Sequence, residues 1–174
     1  QNAQPLQNAT IVLAEGTYNL NGKLVLGEGS VLDIAPGTKI MAAGGTNSYI
    51  AIGQGAKIMA EGSQTKPIVF SSSNTTPGSW GGVVICGKAP ANIGVAQAEV
   101  SDLQYGGNVA NDNSGILKYV RIEYAGASYN SEKEFNGLSL FAVGNGTTVE
   151  YVQLHEGADD GIEFFGGTVN VTNL

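Results

Sequence analysis

The chain repeats itself at intervals too long for a hairpin and too short for a domain. "YVRIEYAG" from Tyr119 returns as "YVQLHEGA" from Tyr151, a step of 32. "GKLVLGEG" from Gly22 returns as "SYIAIGQG" from Ser48, a step of 26, and "GTTVEYVQL" from Gly146 returns as "GGTVNVTNL" from Gly166, a step of 20. Within each copy the side chains alternate: Val120, Ile122 and Tyr124 are separated by Arg121 and Glu123, the two-residue period of a strand with one buried face. A unit this short cannot bury its own apolar face and must stack on its copies. Steps of roughly 20 to 32 residues therefore predict one coil per repeat of an all-β, right-handed parallel β-helix, a solenoid. A sandwich or barrel spaces strands by roughly 8 to 12 residues and leaves no echo from coil to coil.

Nothing else in the chain competes with that reading. The 174 residues predict a single domain, 1–174, with 1–10 as a polar lead. Glycine supplies 26 residues and charged residues only 13%, which gives a chain rich in turns; 42% apolar content excludes disorder. Pro36-Gly37, Pro67 and Pro77-Gly78 punctuate the segments as turns. The net charge is −7 and the basic residues are scattered singly, so no patch exists to follow a nucleic-acid backbone. No apolar run approaches the roughly 18 residues of a membrane span. The first ten residues lack a basic start and apolar middle, so Gln1 is read as a mature terminus left after a leader is removed.

The segments "PGTKI", "GAKIMAEGSQTKPIVFSSS", "SWGGVVICGKAPAN", "LKYVRIEYAG", "NGLSLFAVGNGTTVEYVQL" and "DDGIEFFGGTVN" also carry a resemblance. They are similar to a large set of secreted or surface proteins of Bacteroidota and related bacteria, right-handed parallel β-helices often labelled only as lipoproteins or type IX secretion cargo. The resemblance runs from Ala14 to the end of the sequence. It implies a fold and an extracellular or cell-surface setting, and carries over no reaction.

Candidate chemistry lies on outward positions. Aligning Tyr119 with Tyr151 sets Arg121 beside Gln153 and Glu123 beside His155, with Asp159, Asp160 and Glu163 close behind. Parallel β-helix polysaccharide lyases combine a carboxylate-bound Ca2+ with a basic residue that takes a proton. On that reading Arg121 or His155 is the base, Glu123 its neighbour, and Asp159, Asp160 and Glu163 are ligands. The plainer alternative is that outward positions of a solenoid must be polar and opposite charges on neighbouring rungs pair weakly. "NVANDNSG" offers Asp112 as a further Ca2+ candidate, or an Asn/Asp turn that bonds its own backbone. Apart from these Ca2+ candidates no cofactor is expected, and folding is expected to need no metal.

Cys86, in an apolar run away from the single His155, reads as a buried hydrophobe rather than a nucleophile, and Trp80 as a cover for the core. Asn8, Asn74, Asn145 and Asn170 each begin an N-x-[ST] triplet, a glycosylation acceptor only in a host that glycosylates. Val120, Ile122, Val152, Leu154, Ile162 and Phe164 are expected to point inward.

Two functions follow. The first is a structural or adhesive extracellular protein that faces surface glycans and stacks head-to-tail into a homopolymer, Ile11, Leu13, Leu24 and Leu26 meeting Val169, Val171 and Leu174. The second is a carbohydrate-active enzyme, lyase-like, with its site at Arg121, Glu123 and His155. Few charges, evenly spread, favour the first.

Overall fold

The repeats become coils with three faces. In the computed structural model, which describes residues 4–174, the first coil is β1 (Thr10–Leu13), β2 (Thr17–Leu20) and β3 (Lys23–Leu26), and the second is β4 (Val31–Ile34), β5 (Lys39–Ala42) and β6 (Tyr49–Ile52). The third is β7 (Lys57–Glu61), β8 (Ile68–Ser71) and β9 (Val83–Cys86), after which the chain makes an excursion carrying β10 (Ala96–Gln97) and β11 (Gln104–Tyr105). The fourth has the long β12 (Gly115–Glu123), a hairpin of β13 (Ser128–Asn130) and β14 (Lys133–Glu134), and β15 (Leu138–Phe141). Then β16 (Thr148–His155) and β17 (Ile162–Phe165) form the fifth, and β18 (Asn170–Thr172) lies on β16. All coil-to-coil pairing is parallel. The molecule is a right-handed parallel β-helix, the hand that parallel crossovers take almost without exception.

Register follows the echoes. Lys23 pairs with Tyr49, and Arg121 and Glu123 pair with Gln153 and His155, as the sequence predicts. The last echo is displaced: Thr148 pairs with Asn170 and Val149 with Val171, a step of 22 (170 − 148) instead of 20. A shift of two keeps every side chain on its own face, so the inward column Leu13, Ile34, Ala60, Leu117, Val149, Val171 runs unbroken along the first face. Between the first and second faces β12 and β16 bend without breaking, because Tyr119 (φ 49°) and Tyr151 (φ 51°) both adopt the left-handed conformation. Their rings stack at 4.6 Å and 9°, so the strained corners reinforce each other.

Val120, Ile122 and Val152 are buried, and Leu154 and Ile162 pack against the same core. Phe164 differs from expectation: it pairs with buried Leu140 in the inward column yet is 49% exposed, because the described coils place no strand beyond β17 to cover it. Leu26 also differs. It is 0% exposed, since Leu6 bridges it and Gly27 N–H donates to Leu6 O at 2.7 Å, so part of the polar lead already covers the third face.

The third face is β3-β6-β9-β15-β17; its inner strands β6, β9 and β15 are buried on both sides and accordingly read as unbroken buried runs. Its outer side, Val25, Ala51, Val84 and Cys86, is covered by Ala98, Val100 and Tyr105 of the excursion together with Phe135. No helix among the described residues is long and apolar enough to cross a membrane.

Candidate functional site

The second face keeps its outer side open. Parallel register stacks Lys39, Val69, Arg121 and Gln153 in one outward column and Met41, Ser71, Glu123 and His155 in the next. Across them runs a groove of about 730 Å³, walled by Glu15, Lys66, Pro67 and Tyr124. At its centre the Arg121 Nη2 donates to Glu123 Oε1 at 2.7 Å, and Ser71 Oγ donates to Glu123 Oε2 at 2.7 Å. Glu123 is largely enclosed, its side chain 13% exposed, while Arg121 is 42% exposed. Both carboxylate oxygens are thus used by donors from this chain. A second pair, Lys66 Nζ to Glu15 at 2.8 Å, is more than half exposed on both sides and so contributes little stability.

The residues the sequence groups with Arg121 do not all arrive with it. His155 sits on the rung next to Glu123, but its exposed ring meets Tyr124 edge-on, with centroids 6.0 Å apart. Asp159 and Asp160 occupy the exposed corner after β16. Glu163 lies on the outer side of the third face and accepts from Asn136 Nδ2 at 2.7 Å. Glu134 is held above the usual carboxylate range, first by a side-chain hydrogen bond to Asp159 and then by its negative charge. Asp112 Oδ2 accepts from Gly144 N–H, 32 residues further along the chain, at 3.3 Å, while the neighbouring Asn113 Oδ1 accepts from Gly115 N–H at 2.8 Å, the local pattern of an Asn turn. Among the described residues no three His, Cys, Asp or Glu side chains gather where they would hold a metal ion. The four N-x-[ST] asparagines are all exposed.

Sequence reasoning misses Ser71, Lys66 and Lys39 as groove residues because coil stacking alone brings them to Arg121. Only the coil step through residues 63–67 and the excursion at 87–114, neither of which repeats, would have located them.

Cys86 sits between the third face and its cover, and burial pushes its thiol up to about 12. Thiolate is the reactive form, so the native protein at pH 8 is expected to resist a thiol-reactive dye and to react at once when unfolded. Stoichiometric labelling without denaturant would show that the cover opens.

Fold and groove together define a parallel β-helix with a polar cleft running across its coils. The family model for the pectate-lyase like beta helix domain matches residues 5–174, and the chain belongs to that family. No curated protein and no solved structure matches it.

Proposed function

We propose that this is an extracellular, adhesive β-helix that holds a strand of acidic polysaccharide in the second-face groove without cleaving it. The groove's charge carries the reading. In a chain of net charge −7, three of the eight basic residues, Lys39, Lys66 and Arg121, line this one cleft against two carboxylates, Glu15 and Glu123. Stacked coils align such groups along the helix axis, which suits an extended polymer, and Tyr124, Met41 and Pro67 offer apolar contact to sugar rings. Membership in a pectate-lyase-like family supports carbohydrate as the ligand class.

The same geometry argues against proton abstraction. Arg121 Nη2 donates to Glu123 Oε1 and Ser71 Oγ to Glu123 Oε2, both at 2.7 Å, so the two members of this pair are engaged with each other and not held ready for a substrate proton. Affinity electrophoresis against acidic and neutral polysaccharides tests the binding. Retardation by the acidic polymer alone, weakening as salt screens the charges, is expected, and Lys39→Gln combined with Arg121→Gln should weaken it roughly tenfold or more. Equal retardation by neutral polymers, or none by either, contradicts it.

A separate observation favours self-association as well. Ile11 and Leu13 on β1, and Val171 on β18 with Val169 just before it, are partly buried inward residues at the outermost described rungs of the first face. A second copy stacked in register would continue their column, with Leu24 and Leu174 in the same contact and Leu26, already covered, outside it. Sedimentation velocity across a concentration series should show growing oligomers and electron microscopy fibres; a monomer at every concentration contradicts it.

A further inference from the structure

Two segments break the rhythm of the coils, and both lie over the outer side of the third face: the excursion at 87–114 and the hairpin at 125–136. Their tips meet beside Tyr49 and enclose a cavity of about 370 Å³. The excursion's tip is firmly built, with Val100 buried beneath it and Ala98 N–H donating to Leu103 O at 2.8 Å. There Ser101 (φ 71°) and Asp102 (φ 56°) are consecutive left-handed residues, a conformation that non-glycine residues keep where the surroundings impose it, and often at ligand sites. Ser101 Oγ is buried with no hydrogen-bond partner. The opposite wall is Tyr129, a 47% exposed residue whose hydroxyl donates to Thr46 O at 3.2 Å and whose ring rests against Phe135. Tyr49 closes the floor, its phenol pushed up to about 12, first by burial, so that it remains neutral, with Lys23 Nζ 5.6 Å from its ring centroid.

We propose that this cavity is a binding site for one neutral sugar residue, separate from the second-face groove. A sugar ring needs donors and acceptors on neighbouring atoms and an apolar surface for its C–H face. Lys23 and Lys133 supply donors, Glu99 and Asp102 acceptors, and Tyr129 an aromatic plane. Two ammonium groups face two carboxylates, so an anion gains no net attraction here, in contrast to the cation excess of the groove. The volume lies at the small end of ligand pockets, which run from about 300 to 1,000 Å³, and suits a single ring rather than a polymer strand.

The test is amide chemical-shift titration of the whole chain with D-glucose, D-galactose and D-mannose in turn, and with sodium acetate. At least one sugar should shift the amides of Ser101, Asp102 and Asn130 and saturate with a Kd on the order of millimolar, while acetate leaves them in place. Tyr129→Ala and Glu99→Gln should each weaken that sugar about tenfold. Lys133→Gln, at an exposed position, provides a third reading should either variant lower the melting temperature, and Lys57→Gln on the first face should change nothing. No shift with any of the three sugars, an equal response to acetate, or undiminished binding by the pocket variants overturns the proposal. Polysaccharide retardation by the groove, measured on the same variants, should be unaltered, so failure of one site leaves the other standing.

Discussion

Replacing Trp80 with alanine is expected to cost about 3 to 5 kcal/mol of stability, measured by chemical denaturation against the parent chain. The side chain is 0% exposed and sits in the main core, and its indole Nε1 donates to Glu123 O at 2.8 Å. Its backbone bridges Gly45 and accepts from Ala127 N–H at 3.1 Å. One residue therefore ties the second, third and fourth coils together. Alanine would leave a cavity at that junction and an unpaired carbonyl at the end of β12, directly behind the Arg121–Glu123 pair. Trp80→Phe should lose less, because the ring volume largely stays and only the N–H is removed. A loss below about 1 kcal/mol for the alanine variant would show that the coils are not coupled through this side chain.

Gly115→Ala should be comparably severe. Gly115 opens β12 where the chain returns from the excursion, with φ 111°, a conformation that strains any L side chain. A Cβ there would also collide with the backbone carbonyl of Ile58, its partner on β7, which cannot move without opening the ladder. Backbone strain and overpacking each cost on the order of 1 to 3 kcal/mol, so a combined loss of about 3 kcal/mol or more is expected. Thermal melting measures it, and a melting temperature within a few degrees of the parent's would contradict the register assigned to β7 and β12.

What the sequence discloses and what it hides divide along one physical line. Arg121 with Glu123, and Glu123 with His155, are legible because they lie two residues apart in a strand or one echoed rung apart. Burial of Val120, Ile122 and Val152 is legible for the same reason. The step from Thr148 to Asn170 is misread by two because the turn between coils changes length while the phase of alternation does not. Phe164 follows its inward column and is nonetheless half in solvent, since alternation reports direction and only stacking reports cover. Ser71 reaches Glu123 across 52 residues, and Lys23 shares a cavity with Lys133 only because two unrepeated segments fold over the third face. Neither has a local signal in the chain.

The groove's role is tested most directly by incubating the protein with a polyuronate and following, in the same samples, retardation of the protein and the ultraviolet absorbance of unsaturated chain ends. Binding without any growth of absorbance, with Ca2+ added or chelated, is the predicted result. Steady accumulation of unsaturated ends that is lost in Arg121→Gln or His155→Ala would contradict it and make the second face a catalytic one.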